Sequence, residues 1–312
     1  MATIVVTQRL VEGSMQLFEG TGHRIISLDA DGPLSESELI DAVRGADALV
    51  CLLNDIVTEQ VIEAGASLKV IATVSVGVDN IDVAAARAAG ITVVNTPGVL
   101  DDATADIAML LMGSALRRTH EAERVLRSGG WQGWSLDGFL GQDMTGATLG
   151  LVGYGRIARR VAARASGFSM DILHHTRTPT GIDGWCDSLV GMAERVDVLS
   201  VHVPWTHETT DLIDEQIFAA MPRTSVLVNT ARGPIVNERA LLAALYGEEI
   251  WGAGLDVYAD DPQVNPELLS APHVVLYPHI GSSTGSTRLA MCRLAITGTL
   301  EVLAGRTPAN VV

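Results

Sequence analysis

The chain has 312 residues, 47% of them hydrophobic, and a formal net charge of −16. That length suits two globular domains of ordinary size, and the acidic balance argues against nucleic acid, which needs a basic footprint. No basic stretch precedes an apolar one at the N-terminus and no apolar run is long enough to cross a bilayer, so neither a secretory leader nor a membrane contact is expected.

The first third alternates β-rich runs with helical stretches. Thr3–Thr7, Arg24–Leu28, Ala48–Leu53, Val70–Ser75 and Thr92–Val94 read as strands, and Ser37–Arg44, Thr58–Ala64 and Val83–Ala89 as helices. Such alternation predicts a parallel sheet covered by helices on both faces. Asn95-Thr96-Pro97-Gly98 breaks the pattern. After it Ala103, Ile107, Leu110, Leu111 and Ala115 recur at helical spacing, so Asp102–Arg118 is a long amphipathic helix.

A second series begins at Thr148–Val152. Gly153-Tyr154-Gly155-Arg156-Ile157-Ala158 follows that strand at once, and Arg159–Ala165 has helical composition. Strand, glycine-rich turn and helix in this order can cradle a pyrophosphate. The first glycine permits the turn, the second lets the phosphate approach, and the third small residue, here Ala158, lets helix and strand pack closely. Further strands are expected at Met170–His174, Val196–His202, Ser225–Asn229, Gly252–Asp256 and Val274–Tyr277, a six-stranded dinucleotide-binding sheet, with a last helix over Thr287–Leu303. Cys51, Cys186 and Cys292 are scattered and odd in number. They read as small buried hydrophobes in a reducing cytoplasm, and no metal site is expected.

Three polar residues fall where open α/β sheets place their sites, at the ends of predicted strands. Arg232, followed by glycine, can present its fork to a carboxylate, though alone it is as well explained by a surface salt bridge. Asp261 follows Leu255-Asp256-Val257-Tyr258-Ala259-Asp260, and clustered loop carboxylates are commonly just solvated. His279 follows Tyr277-Pro278, and a lone histidine beside proline is more often structural.

Together these segments are far more specific than any one of them. Val76-Gly77-Val78-Asp79-Asn80-Ile81-Asp82, Asn95-Thr96-Pro97-Gly98-Val99-Leu100, Ala103-Thr104-Ala105-Asp106, the glycine-rich turn, Val201-His202-Val203-Pro204, Asn229-Thr230-Ala231-Arg232-Gly233, Gly254-Leu255-Asp256-Val257 and Pro278-His279-Ile280-Gly281 follow in order. Over nearly the whole chain the sequence resembles the D-isomer-specific 2-hydroxyacid dehydrogenases, and among them the glyoxylate and hydroxypyruvate reductases.

The resemblance implies an α/β protein of two Rossmann-like or flavodoxin-like domains with an active-site cleft between them. Residues 1–98 with 286–312 would form the substrate domain and 99–285 the NAD(P)-binding domain. A cytoplasmic homodimer with residues 102–141 in its interface is implied, as is a small 2-oxoacid or 2-hydroxyacid substrate. Val76, Gly77 and Arg232 would hold the substrate. His279 would pass a proton to and from its oxygen, with Asp261 as acidic partner holding the imidazolium. The cofactor would meet Thr104, Gly153, Gly155, Arg156, Ile157, His202, Val203, Pro204, Thr230, Asp256 and Gly281. Hydride addition to a ketone builds negative charge on oxygen, so a proton donor and a fixed cation converging there suit the chemistry. The family's glutamate is replaced here by Asp261, one methylene shorter.

An NAD site needs a carboxylate about 20 residues past the glycines, but the chain there reads His174-His175-Thr176-Arg177. Thr176 and Arg177 could serve a 2′-phosphate, so NADP(H) is expected as the preferred cofactor, with NAD(H) the other candidate. The rival readings are another member of the family, such as a phosphoglycerate or formate dehydrogenase, and a nucleotide-sensing corepressor-like scaffold.

Overall fold

Four-residue runs such as Ala48-Leu49-Val50-Cys51 and Val226-Leu227-Val228-Asn229 are buried along their whole length. A strand covered on both faces needs apolar or small residues at every position, not every second one. The computed structural model describes residues 1–312 and gathers these strands into two parallel sheets. The chain divides into two compact units, one of residues 1–100 with 282–312 and one of residues 101–281.

The first unit contains β1 (Thr3–Gln8), β2 (Arg24–Ala30), α1 (Glu36–Val43), β3 (Ala48–Cys51), α2 (Glu59–Ala64), β4 (Val70–Thr73), α3 (Val83–Ala88) and β5 (Thr92–Val94). The sheet order is β2-β1-β3-β4-β5, all parallel. This is the flavodoxin-like winding. Leu39, Val43, Val61, Ile62 and Ala86 of the helices pack with Val5, Leu49, Ile71 and Val93 of the strands in one core.

The second unit contains α4 (Asp101–Arg117), α5 (Thr119–Arg127), β6 (Thr148–Val152), α6 (Arg156–Ala165), β7 (Asp171–His175), β8 (Trp185–Cys186), α7 (Leu189–Ala193), β9 (Val198–Val201), α8 (Glu215–Ala220), β10 (Val226–Asn229), α9 (Glu238–Tyr246), β11 (Gly252–Leu255), α10 (Pro266–Ser270) and β12 (Val274–Leu276). The sheet order, β12-β11-β10-β9-β6-β7-β8, is the Rossmann winding with one further strand at the far edge. Separate cores lie on its two faces, one built with α7, α8 and α9, the other with α4 and α6. The last helix, α11 (Gly285–Leu303), belongs to the first unit and packs on β3, β4 and β5. The chain end adds to the edge of that sheet, where Val94 bridges Val311 and Asn310 Nδ2 donates to the Asn95 carbonyl at 2.6 Å.

The expectation of six strands in the second sheet is corrected to seven. The missing one is β8, the third strand of the Rossmann order, and it is only two residues long. Several expected strands also end earlier: β3 stops at Cys51 and β9 spans Val198–Val201 rather than Val196–His202. The three cysteines are free and buried, and burial pushes the Cys51 thiol up, so it stays protonated. No helix is long and apolar enough to cross a membrane.

Candidate functional site

The glycine-rich turn is built as its spacing requires. Gly153 has φ +88°, and a Cβ there would lie 2.8 Å from Val203 and 2.9 Å from the His202 carbonyl oxygen, so the ends of β6 and β9 meet through a glycine. Around Gly155 a Cβ would meet nothing within 4 Å. Ala158 is fully buried in the core that joins β6 to α6.

Helices α1, α2, α3, α7, α8, α9, α10 and α11 each have an N-cap side chain accepting from their first turn: Ser35, Thr58, Asp82, Ser188, Asp214, Asn237, Asn265 and Thr284. Helix α6 starts at Gly155 with no such side chain. Its first N–H groups and dipole therefore face the open side of the turn, the ordinary provision for an anion. Ile157 packs its side chain against the core, and Arg156 is exposed and paired with the buried Asp101 at 3.2 Å.

The ends of β9 to β12 carry the remaining candidates. His202 is half-buried, with Nε2 2.9 Å from Ser200 Oγ, and burial pushes its imidazole down to about 4. Beyond β10, the buried Asn229 accepts from the Ala231 N–H at 3.0 Å and donates to the Arg232 carbonyl at 2.9 Å. Asn229 thus holds the bend on which Thr230 and Arg232 stand. Thr230 Oγ1 is buried with no hydrogen-bond partner, and such an orphaned hydroxyl suits a polar cofactor group. Together with the open, uncapped turn, it makes these residues fit a dinucleotide.

His279 has φ +54°, a left-handed conformation that costs a non-glycine residue free energy and persists only where neighbours impose it. Asp256, 1% exposed, imposes it. Its two carboxylate oxygens accept from the N–H groups of Ile280 and Gly281, each at 2.7 Å. Burial pushes the Asp256 carboxyl above the usual carboxylate range, against the opposing pull of the Ile280 N–H, His279 and the Gly281 N–H. Gly281 leaves room for this clamp, since a Cβ would stand 3.2 Å from Asp256 Oδ2 and 3.4 Å from Thr104 Cγ2. Tyr258 OH donates to the Tyr277 carbonyl at 2.8 Å and ties the loop after β11 to the end of β12.

His279 Nδ1 lies 3.0 Å from Asp261 Oδ2, both side chains partly exposed. Because a carboxylate only accepts, Nδ1 carries the hydrogen and Nε2 is the nitrogen left for chemistry. The adjacent Asp260 instead closes a local bridge, its carbonyl accepting from the Gln263 N–H at 2.8 Å. Arg232 Nη1 donates to the Ala231 carbonyl at 2.8 Å. In the first unit, Asn95 Nδ2 donates to the Val76 carbonyl at 2.7 Å and Ser75 Oγ to the Gly77 carbonyl at 2.6 Å, which fixes the peptide planes of that segment.

Past β7, Thr176 departs from its expected use. Its hydroxyl donates to the Thr178 carbonyl at 2.7 Å and accepts from Trp185 Nε1 at 3.1 Å. Its only proton is therefore committed. Arg177, beside it, is exposed.

Sequence reasoning singled out Arg232, Asp261 and His279 but missed what holds them. Asn229 bonds a carbonyl three residues on and Tyr258 one 19 residues on, while Ser75 and Asn95 brace the Val76–Gly77 segment in the same way, by backbone carbonyls. Two of them, the buried Asn229 and the half-buried Asn95, stood in view at strand ends, where an asparagine side chain commonly bonds nearby backbone.

Residues 109–281 match the family described as D-isomer specific 2-hydroxyacid dehydrogenase, NAD binding domain. A glyoxylate reductase of Thermococcus litoralis is 39% identical over 99% of this chain and 96% of its own. A crystal structure of a Thermus thermophilus protein superposes with a TM-score of 0.94 at 39% identity, covering 99% of both chains. A NADPH-dependent glyoxylate/hydroxypyruvate reductase of Sinorhizobium meliloti, in complex with NADP and malonate, superposes with a TM-score of 0.87 at 32% identity, over 100% of this chain and 96% of its own.

Proposed function

The chain belongs to the D-isomer specific 2-hydroxyacid dehydrogenases, NAD(P)-dependent oxidoreductases, and from that premise we propose that it reduces glyoxylate or hydroxypyruvate, with His279 as the proton donor. The observation that carries this reading is the Asp261–His279 pair at 3.0 Å on a histidine whose backbone is clamped by Asp256.

Bound NAD(P)H supplies the hydride. Arg232 holds the substrate carboxylate and carbonyl through its planar fork. As the carbonyl oxygen gains charge, His279 gives it the proton on Nε2, and Asp261 keeps the ring oriented through Nδ1. In oxidation of the hydroxyacid the same nitrogen takes the proton back. Glycines 153 and 155, Arg156 and the N–H groups from Ile157 onward would hold the pyrophosphate. Thr104, Thr230, Asp256 and Gly281 would line the nicotinamide end, and His202, Val203 and Pro204 the adenine side.

NADP(H) is the proposed preferred cofactor, supported by the absence of a carboxylate at the end of β7 and the exposed Arg177 there. The site of action is proposed to be the cytoplasm, and the assembly a homodimer. Trp131, Trp134, Leu136 and Leu140 are 56%, 82%, 82% and 61% exposed within one segment, an apolar surface of the kind that a partner subunit covers. Oxidation of NADPH and of NADH with a panel of 2-oxoacids tests the function. Turnover of glyoxylate or hydroxypyruvate well above the other acids supports it, and tight cofactor binding with no turnover of any acid overturns it in favour of a sensing scaffold.

A further inference from the structure

Strand β8 has only two residues to pair with β7, through His174 with Trp185 and His175 with Cys186. So short an edge gains little from ladder bonds alone, and side chains fasten it. Gly184, at φ +84°, brings the chain against β7 so closely that a Cβ would collide with the Ile172 carbonyl. His175 Nδ1 donates to the Cys186 carbonyl at 2.9 Å. Trp185 Nε1 reaches past the end of β7 to Thr176 Oγ1 at 3.1 Å, and Thr176 passes its own proton to the Thr178 carbonyl at 2.7 Å.

The segment is tied a second time by His174 Nε2, 2.7 Å from Thr180 Oγ1, which also accepts from the Ile182 N–H at 3.2 Å. The His174 ring stacks on Tyr154 of the glycine-rich turn, centroids 4.0 Å apart. Residues 176–180 are therefore held between an indole on β8 and a ring resting on the pyrophosphate turn. Arg177 lies between the two residues that the Trp185–Thr176 chain joins. A phosphate monoester needs donors, and the Thr176 hydroxyl has none left to give.

We propose that Trp185 is a positioning residue for an adenosine 2′-phosphate subsite at the end of β7. The indole N–H sets the Thr176 hydroxyl, the hydroxyl closes the turn from 176 to 178, and that turn presents Arg177 to the phosphate. Trp185 itself does not touch the cofactor. The inference rests on the NADP(H) preference proposed above.

The experiment compares the full-length enzyme with W185F, T176V and the double variant, reading the Kd for NADP+ and for NAD+ by calorimetry without substrate, where the same change in ratio is expected, and kcat and KM for NADPH and NADH at saturating glyoxylate. Phenylalanine keeps the ring and loses the N–H. The NADPH-to-NADH ratio of kcat/KM is expected to fall about three- to tenfold in W185F, the worth of one hydrogen bond, through KM for NADPH with kcat little changed. T176V should lower the ratio as well, and the double variant no further than T176V, because the indole acts only through that hydroxyl. A ratio unchanged in W185F, equal losses with both cofactors, or additive effects in the double variant overturn the proposal while the cofactor preference stands. A wild-type enzyme that favours NADH overturns the preference itself.

Discussion

The two units are wound alike and end differently. In each, the strand order reverses beside the unit's first strand, between β1 and β3 in one and between β6 and β9 in the other. The crevice outside the strand ends at such a reversal is where open α/β sheets bind ligands. In the first unit that place is filled from within. Asp55, fully buried, accepts from Thr7 Oγ1 at 2.6 Å, the Leu52 N–H at 2.9 Å and the Leu34 N–H at 3.2 Å. Asn80 ties the same loop through the Leu52 and Asp55 carbonyls. In the second unit the strand ends meet through Gly153, and the next helix starts uncapped. One topology thus serves as a closed scaffold or a nucleotide cradle, according to whether a side chain or a glycine stands at the reversal.

The comparison breaks most severely at the chemistry carried only by the second unit. Arg232→Lys keeps the charge and loses the fork, so kcat/KM for the 2-oxoacid should fall by about 10²–10³-fold, while NADPH affinity, read by fluorescence titration, stays close to wild type. Equal losses for acid and cofactor would mean that the arginine only shapes the loop braced by Asn229.

In the first unit, Asp55→Ala should act on stability. It leaves the Thr7 hydroxyl and two N–H groups without their acceptor in a dry site, a cost of about 3 kcal/mol or more. Urea unfolding would measure it. A loss under about 1 kcal/mol would mean that water enters and that the reversal is not closed as described.

Much of this was legible because it depends on residue type at fixed spacing. Runs buried on both faces announce strands such as Val226–Asn229, and the glycine pattern announces the turn before α6. Strand β8 was not legible, since two residues between Gly184 and Asp187 carry no periodicity. Arg232, Asp261 and His279 stood out by their places after strands, but the roles proposed for them came from the resemblance carried by the ordered motifs and not from position. The left-handed backbone of His279, its clamp by Asp256 and the direction in which Thr176 donates depend on how loops fold back on themselves, and no spacing in the sequence encodes that.

The two glycines of the turn sharpen the comparison at smaller amplitude. Gly153→Ala puts a Cβ against Val203 and the His202 carbonyl at φ +88°, so it should cost about 1–3 kcal/mol of stability. Gly155→Ala enters open space at an ordinary φ of −77°. It should leave the melting temperature unchanged or slightly raised and weaken NADPH several-fold. If both variants lose stability equally, Gly155 serves the fold and not the cofactor.

The smallest expected effect separates the reversals by pH. The first holds a buried carboxylate, the second His202, whose imidazole burial pushes from 6.5 to about 4. Between those values the unfolded chain binds a proton that the folded one refuses, so stability rises with pH across this window. His202 therefore adds no cost above about pH 6.5 and an increasing one as pH falls toward about 4. His202→Gln, which can still pair with Ser200, removes the titration. Urea unfolding at about pH 7.5 and about pH 5 should show a smaller loss on acidification in the variant than in the wild type. The same loss in both would mean that His202 takes up its proton in the folded protein, and that the second reversal is as wet as the first is dry.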